Sequence, residues 1–358
     1  MKILYVITGL AQGGAERVVC DLADAMFSKG HTVKIAYLTG DILTSPINQE
    51  IEIIDINLTN LQSLPKAYLR LSKLINNYKP DVVHAHMIHA NILTRLIRLT
   101  TPISKLICTA HNSNEGKLLR MLAYRITDRL ADLTTNVSDT AVSSFELQYA
   151  VPKNSMLTVY NGVDFTNFIY KPQARNAVLE QLNLPIDTKI ILAVGRFNVQ
   201  KNYFNMLKAI SKLKTQLNSP FVLLVAGDGE LREEIEKLIK KLNINENVIL
   251  LGRRNDIPEL MSACDAFVLS SDYEGLPTVL IEALACQAHV VSTEVSGANE
   301  IIGKYGYIVP VKDSEKLAKA IIKALNIKER NVLGKNYAKD KFDLNIISKK
   351  WLDIYNEE

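Results

Sequence analysis

The sequence predicts an α/β protein built from two Rossmann-like domains, and three observations lead to this fold class. Short apolar runs alternate with amphipathic helices of about ten to fifteen residues, which is the pattern of a parallel sheet covered by helices. The alternation lapses over residues 165–187, which contain Pro172 and Pro185 and are interpreted as a linker, and then it starts again. A chain of 358 residues also exceeds what one hydrophobic core usually supports.

The first half begins with Lys2–Thr8, an apolar run without polar alternation, as expected of a strand that is buried on both faces. Ala15–Lys29 follows as an amphipathic helix, and Asp81–His86 is a short strand that ends in polar residues. The other predicted strands of this half are Thr32–Leu38, Ile51–Ile56, Lys105–Thr109 and Thr134–Val137, and the other predicted helices are Leu64–Tyr78, Ile88–Arg98 and Leu118–Leu133.

The second half repeats the pattern from Lys189 onward. Its predicted strands are Lys189–Gly195, Phe221–Gly227, Val248–Gly252, Ala266–Leu269, His289–Ser292 and Tyr307–Val309, and its predicted helices are Tyr203–Leu217, Glu230–Leu242, Ile257–Ala263 and two that begin near Thr278 and Ser314. We therefore place an N-terminal domain at residues 1–165 and a C-terminal domain at residues 166–343. A final segment, 344–358, carries the single tryptophan, Trp351.

Composition and charge exclude several classes of protein. The formal net charge of +4 is too small to indicate nucleic-acid binding. The four cysteines are widely spaced in apolar surroundings, which indicates reduced thiols rather than disulfides and fits the cytoplasm. No apolar run reaches the roughly eighteen residues of a membrane-spanning helix. His84, His86 and His89 have no partnering cysteine or carboxylate set, so no metal site is expected.

Basic residues are concentrated between Lys66 and Arg129. Eleven basic residues accompany three acidic ones there, whereas residues 1–65 carry four basic and seven acidic residues. This excess predicts an anionic partner such as a membrane surface. The helix Leu118–Leu133 has basic flanks that include Lys117 and Arg125, but its apolar stripe favours packing on the core over contact with a membrane. The stripe consists of Leu118, Leu122, Ile126, Leu130 and Leu133.

One stretch of the second half predicts a nucleotide site. A buried strand ending at Leu269 is followed by Glu274, a turn, and a helix that begins near Thr278. The free backbone N–H groups at a helix start favour phosphate. Glu282 lies a little over one turn inside this helix, where its carboxylate repels phosphate but can accept hydrogen bonds from ribose hydroxyls. Phosphate at the helix start and ribose beside a carboxylate describe a bound nucleotide.

Charged residues and glycines also follow other predicted strands, at the edge where parallel sheets bind ligands. Arg196 and Lys201 follow the first strand of the second half, and a guanidinium fork with an ammonium group can neutralise a diphosphate. The sequence contains no Asp-x-Asp that would bind a diphosphate through a metal. Gly13 and Gly14 allow close approach of a ligand to the backbone. His111 follows a strand of the first half.

The string from the buried strand through Glu274-Gly-Leu-Pro to Ile281-Glu-Ala resembles the Glu-x7-Glu signature of retaining glycosyltransferases with the GT-B fold, and most of all glycosyltransferase family 4. The resemblance covers nearly the whole chain. It implies two Rossmann-like domains that face a cleft, with residues 344–358 packing back on the N-terminal domain. One departure is Gln287-Ala-His289, where the family usually has glycine followed by proline or valine.

The resemblance also implies roles for individual residues. His111 would hydrogen-bond the hydroxyls of the donor sugar or stabilise developing charge, and Glu16 and Arg17 match the acceptor side of the first loop. The expected catalytic residues are His111, Arg196, Lys201 and Glu274. The expected donor-binding residues are Gly13, Gly14, Arg253, Gly275, Leu276, Thr278, Val279, Glu282 and Gly297.

The function that the resemblance implies is retaining transfer of a sugar from a nucleotide diphosphate donor, without metal or cofactor. The acceptor is expected to be a polyprenyl-diphosphate-linked saccharide in lipopolysaccharide, O-antigen or capsule biosynthesis, and the donor a UDP-hexose or UDP-N-acetylhexosamine. We expect the protein at the inner face of the cytoplasmic membrane. The alternatives are a nucleotide-sugar epimerase, a phosphorylase, a Rossmann oxidoreductase and a non-catalytic scaffold on a lipid surface. The oxidoreductase is disfavoured because the three-glycine dinucleotide fingerprint is missing.

Overall fold

The structure is a computed structural model that describes residues 1–11, 13–115 and 118–357. Lys117 of the predicted basic flank and Glu358 of the predicted C-terminal segment lie outside these residues. The chain forms two compact units. The first unit contains Met1–Asp164 and Phe342–Glu358, and the second contains Phe165–Lys341.

The first unit has a seven-stranded parallel sheet in the order β3-β2-β1-β4-β5-β6-β7. Its strands are β1 (Lys2–Ile7), β2 (Thr32–Tyr37), β3 (Glu52–Asp55), β4 (Val82–His86), β5 (Leu106–Ala110), β6 (Leu133–Asn136) and β7 (Met156–Thr158). Its helices are α1 (Gly14–Ser28), α2 (Leu64–Tyr78), α3 (Ile88–Ile97), α4 (Leu118–Thr127), α5 (Asp139–Leu147) and, from the end of the chain, α14 (Leu344–Asn356).

The second unit has a six-stranded parallel sheet in the order β10-β9-β8-β11-β12-β13. Its strands are β8 (Lys189–Val194), β9 (Phe221–Ala226), β10 (Val248–Gly252), β11 (Ala266–Leu269), β12 (His289–Thr293) and β13 (Gly306–Val309). The helices are α6 (Ala174–Gln181), α7 (Tyr203–Gln216), α8 (Arg232–Lys241), α9 (Ile257–Ala263), α10 (Thr278–Ala285), α11 (Ala298–Ile302), α12 (Ser314–Leu325) and α13 (Val332–Phe342).

The second sheet has the Rossmann order 3-2-1-4-5-6, and the first has the same order with β7 added at its edge. In this order the direction of winding reverses between the first and the fourth strand. The reversal lies between β1 and β4 in the first unit and between β8 and β11 in the second. Ligands of such sheets bind beyond the carboxyl ends of the strands at this point. This architecture confirms the predicted fold class.

The C-terminal helix α14 packs within the first unit. Ile347, Trp351, Ile354 and Tyr355 are buried in the core that also contains β1 and α1. The hydroxyl groups of Tyr355 and Tyr5 lie 3.2 Å apart, so the last helix also has polar contacts with the centre of the sheet.

Two predicted segments differ from the structure, and the sequence-based prediction did not include α5, β7 or α11. The expected linker 165–187 contains the helix α6, where Ala174, Val178 and Leu179 are buried. The predicted helix Leu118–Leu133 ends as an α-helix at Thr127, because a 3-10 turn precedes β6. None of the described helices is long and apolar enough to cross a membrane.

Candidate active site

Two loops of the second unit lie side by side at the carboxyl end of its sheet. One follows β8 and the other follows β11, which are neighbours in the sheet. Asp272 donates its backbone N–H to the carbonyl of Gln200 at 2.8 Å. The hydroxyl of Ser270 donates to the carbonyl of Lys201 at 2.9 Å, and the side-chain amide of Asn202 donates to Asp272 at 2.6 Å. These bonds fix the positions of the two loops relative to each other.

Lys201 and Glu274 meet between these loops. Lys201 Nζ lies 2.7 Å from Glu274 Oε1, and the two side chains are only 19% and 10% exposed. The carboxylate also accepts hydrogen bonds from Ser271 Oγ at 2.7 Å and from Gln200 Nε2 at 3.1 Å. A charge-assisted bond in a largely buried setting holds the ammonium group more firmly than a surface ion pair would. The structure thus brings together two of the four predicted catalytic residues.

Glycines allow the loop after β8 to lie directly against the loop after β9. Gly195 has φ +154° and Gly227 has φ +150°, conformations that side chains rarely adopt. A Cβ atom on Gly227 would lie 2.0 Å from the carbonyl oxygen of Gly195, and one on Gly229 would lie 2.6 Å from the carbonyl oxygen of Phe197. Only glycine therefore permits this contact, which positions the backbone next to Arg196.

Arg196 and Arg253 are exposed side chains at the same edge of the sheet, because Arg196 lies two residues beyond the end of β8 and Arg253 directly follows β10. Arg196 Nε lies 3.3 Å from Glu230 Oε2, and it is 62% exposed. The backbone N–H of Gly229, with help from Arg232 and Arg253, holds the pKa of Asp228 below its usual range. The ion pair of Arg196 with Glu230 lies at the surface and is separate from the buried pair of Lys201 and Glu274.

The helix α10 starts at Thr278 with Pro277 as its N-terminal cap residue. Leu276 is buried beside Gly297, which has φ +75°; a Cβ atom there would lie 2.7 Å from Leu276 Cδ1. Gly275 is also buried, Thr278 and Val279 are partly buried in the first turn of α10, and Glu282 is partly buried on the next turn. The structure places these predicted donor residues around one helix start.

Gln287, where the family usually has glycine, adopts a left-handed backbone conformation. Gln287 follows the end of α10 with φ +61°, and the backbone N–H groups of Gln287 and Ala288 bond to Leu284 and Ala283. This is the left-handed position after a helix that glycine usually occupies. Glutamine in place of glycine at this position therefore costs conformational energy. The cost arises at the C-terminal end of α10, away from Thr278 at its start.

In the first unit, Gly13 caps α1 and Gly14 is its first residue. A Cβ atom on Gly13 would lie 2.5 Å from a carboxylate oxygen of Glu16, so this side chain folds back over the helix start. Arg17 pairs with Asp21 at 2.7 Å, and burial raises the pKa of Asp21 to about 6. Glu16 and Arg17 thus lie in one turn of α1, next to the predicted glycine loop.

His111 follows β5 and lies beside a residue that the sequence did not assign to the site. His111 Nε2 is 3.0 Å from His86 Nδ1 at the end of β4. The rings of His84 and His86 are 4.0 Å apart. The only sequence signal was the His-x-His spacing, which places both histidines of β4 on one face of the strand. We call His84, His86 and His111 the histidine cluster.

His84 links the histidine cluster to the C-terminal helix. Its Nδ1 lies 2.7 Å from the Tyr355 hydroxyl, and its Nε2 lies 2.7 Å from Thr109 Oγ1. The Trp351 ring packs on the same histidine at 4.4 Å between centroids. Among the residues that the structure describes, no group of three histidine, cysteine or acidic side chains is arranged to hold a metal ion.

Acid should destabilise the protein through His111. Burial lowers its pKa from 6.5 to about 4, so between these pH values the unfolded chain binds a proton that the folded chain does not. The free energy of unfolding therefore falls as the pH decreases from about 6.5 to about 4. We expect His111→Asn to have a smaller loss of stability over this window in urea titrations. Asp21 and Glu115, whose pKa values burial raises, are common to both proteins and cancel in the comparison. Parallel curves for the two proteins would contradict this role of His111.

Comparison with known proteins identifies the family. Residues 12–167 match the model described as Glycosyltransferase Family 4, and residues 175–341 match Glycosyl transferases group 1. A curated relative from Campylobacter jejuni, GalNAc-α-(1→4)-GalNAc-α-(1→3)-diNAcBac-PP-undecaprenol α-1,4-N-acetyl-D-galactosaminyltransferase, is 30% identical over 100% of this chain and 99% of its own. The chain belongs to glycosyltransferase family 4. The predicted family is thereby confirmed.

A second relative of this glycosyltransferase in Campylobacter jejuni is N-acetylgalactosamine-N,N'-diacetylbacillosaminyl-diphospho-undecaprenol 4-α-N-acetylgalactosaminyltransferase. It is 29% identical over 94% of both chains. Among solved structures, Anabaena HepE in complex with UDP and glucose superimposes with a TM-score of 0.84 over 99% of both chains, at 18% identity. The glycosyltransferase therefore has the two-domain GT-B type of fold.

Proposed function

We propose that this glycosyltransferase moves a hexosyl or N-acetylhexosaminyl group from a UDP-sugar to a polyprenyl-diphosphate-linked saccharide, with retention of configuration and without a metal. The observation that carries the proposal is the buried pair of Lys201 and Glu274 at the carboxyl end of the second sheet. The printed names of the two Campylobacter relatives describe transfer to undecaprenyl-diphosphate-linked sugars, which supports the acceptor class. The UDP and glucose named with HepE support the donor class.

The second unit would bind the nucleotide end of the donor. Lys201 and Arg196 face the negative charge that grows on the diphosphate as the bond to the sugar breaks, and the first turn of α10 offers N–H groups to it. Glu274 keeps the Lys201 ammonium group in place through their 2.7 Å contact. Glu282 accepts hydrogen bonds from the ribose.

The transfer step needs no protein nucleophile. The bond from the anomeric carbon to the diphosphate oxygen breaks, and the acceptor oxygen bonds to that carbon on the same face. The departing diphosphate takes the proton of the acceptor hydroxyl, so the protein has only to hold the groups and stabilise the charge. His111 contacts the transferred sugar, and Glu16 and Arg17 lie on the acceptor side.

Donor class is tested by the melting temperature in UDP-, GDP- and dTDP-sugars, followed by transfer to a synthetic polyprenyl-diphosphate saccharide. We expect a UDP-sugar to raise the melting temperature, because a ligand that binds only the folded state stabilises it. In the transfer assay we expect a product that keeps the anomeric configuration of the donor sugar. NAD serves as the control for an oxidoreductase. Epimerised sugar formed from the donor alone, or a rise in melting temperature with NAD only, would contradict the proposal.

The surface of α4 supports contact with a membrane and corrects the sequence-based interpretation of its stripe. Leu118, Leu122 and Ile126 are exposed, by 83%, 49% and 63%, whereas Leu130 and Leu133 at the other end of the stripe are partly buried. Met121 and Tyr124 are buried on the adjacent face of the helix. The exposed basic side chains beside the stripe are Arg125 and Arg129. Exposed leucines next to arginines suit the boundary between headgroups and acyl chains of anionic lipid. We place this contact at the inner face of the cytoplasmic membrane, where a lipid-linked acceptor would lie.

Replacement of Leu118 and Ile126 by serine should weaken binding to vesicles that contain anionic lipid. Each removes apolar area that would enter the interface, so we expect the partition coefficient to fall by about tenfold or more. Sedimentation with vesicles measures it. Leu333→Ser is the matched control, since Leu333 is 68% exposed in the second unit. Membrane contact through α4 would be contradicted if the α4 variant and Leu333→Ser lost vesicle binding equally, or if the α4 variant lost none.

A further inference from the structure

His86 is buried to 1% exposure, and within the part of the chain that the structure describes only one of its two ring nitrogens has a hydrogen-bond partner. Its Nδ1 lies 3.0 Å from His111 Nε2. Its Nε2 is buried and has no partner among the described residues. Both imidazoles are neutral near pH 7, because burial lowers the pKa of each ring. Each ring therefore carries one proton, and the contact between them uses one of the two.

Two arrangements of the protons satisfy the contact. In the first, His86 donates its Nδ1–H to His111 Nε2, and the unpartnered His86 Nε2 is a bare acceptor. In the second, His111 donates its Nε2–H, and His86 must carry its own proton on the buried Nε2, where no acceptor exists among the described residues. Buried N–H groups without an acceptor are rarer than acceptors without a donor. The first arrangement is therefore the more stable one.

We infer that His86 is a positioning residue that holds His111 in the tautomer with its proton on Nδ1. The lone pair of His111 Nε2 is then occupied by the His86 N–H, so His111 presents an N–H to its ligand and cannot accept a proton through Nε2. This inference rests on the proposed function in so far as the ligand is the transferred sugar. An N–H fits the role of a donor to a sugar hydroxyl oxygen rather than that of a general base.

The packing around His86 keeps the donating ring in one orientation. Its centroid lies 4.0 Å from that of His84 and 5.8 Å from that of Tyr5. His84 is itself held through both ring nitrogens, by Tyr355 and Thr109. The ring that directs the proton of His111 is therefore fixed by buried contacts within the first unit.

Nitrogen-15 NMR of the full-length protein labelled only at histidine tests the tautomer directly. The chain has six histidines, and the signals of His111 are identified as those missing from His111→Asn. We expect the wild-type protein at neutral pH to show a protonated Nδ1 and an unprotonated Nε2 for His111. The opposite pattern would overturn the inference. Because this measurement uses the wild-type protein, it decides between the two tautomers of His111 even if no variant of His86 folds.

His86→Leu removes the donor, and His84→Leu is its matched control on the same strand with equal burial and the same loss of a ring. We expect His86→Leu to lose the Nδ1–H signature of His111 and to lower kcat on the order of tenfold, whereas His84→Leu lowers the melting temperature but keeps the signature. An unchanged signature in His86→Leu would overturn the inference. Absence of sugar transfer by the wild-type protein would instead defeat the proposed function and leave the tautomer result standing.

Discussion

Lys201→Ala should reduce kcat for sugar transfer by about 100-fold to 1000-fold, which is the usual cost of removing one group that stabilises a developing negative charge. Lys201 lies at the carboxyl edge of the second sheet, 2.7 Å from Glu274 and largely buried. Arg196 is exposed and pairs with Glu230, so it compensates only in part. Steady-state kinetics with a saturating UDP-sugar measure the loss.

Loss of fold must be separated from loss of charge in this variant. Removing one partner of a buried ion pair destabilises a protein because it leaves the other charge without compensation. The double variant Lys201→Ala with Glu274→Gln removes both charges. We expect urea denaturation to give it a higher free energy of unfolding than Lys201→Ala alone, while its transfer activity stays as low. Lys212→Ala is the matched control, because Lys212 forms an ion pair of the same 2.7 Å length with Glu315 at the surface of the second unit. Full turnover in Lys201→Ala would contradict the site.

Gly227→Ala should lower the free energy of unfolding of the second unit by about 3–5 kcal/mol, a large effect for one methyl group. The added Cβ atom would lie 2.0 Å from the carbonyl oxygen of Gly195, and the φ of +150° is unfavourable for alanine. Because this contact also positions Arg196, we expect weaker binding of the sugar nucleotide as well. Urea denaturation and a titration with the donor measure the two effects.

Gly252→Ala provides the control for this prediction. Gly252 has φ +67°, and its carbonyl accepts the backbone N–H of Gly227 at 2.8 Å, but a Cβ atom there would have no heavy atom within 4 Å among its described surroundings. The cost should be limited to the left-handed conformation, about 1–2 kcal/mol. A Gly227→Ala variant no less stable than Gly252→Ala would show that the two loops do not need to approach so closely.

Much of the fold followed from local pattern. Strands buried on both faces read as uninterrupted apolar runs, and helices show their apolar period, so the described strands other than β7 and most of the helices between them could be predicted in order. The short helix α6 was missed because Pro172 and Pro185 flank it and mark the stretch as a linker. Its three buried residues are covered by packing within the second unit, where α6 lies against α9.

The apolar stripe of α4 shows where periodicity fails. Leu118, Leu122 and Ile126 repeat every four residues, and so do residues that face a core. The neighbouring face of the same helix, with Met121 and Tyr124, is the one that is buried. Spacing along a helix identifies a face but not what covers it, and the choice between two adjacent apolar faces is made by the rest of the unit.

By itself the sequence determined which residues follow the carboxyl ends of strands, and therefore where the charged and glycine residues of the candidate site lie along the sheets. The tertiary structure alone decided which of them are partners. Lys201 meets Glu274 across 73 residues of chain, and His86 meets His111 across 25. The reason is that β8 and β11, like β4 and β5, become neighbours only through a crossover, and such pairing depends on the whole sheet rather than on any local sequence pattern.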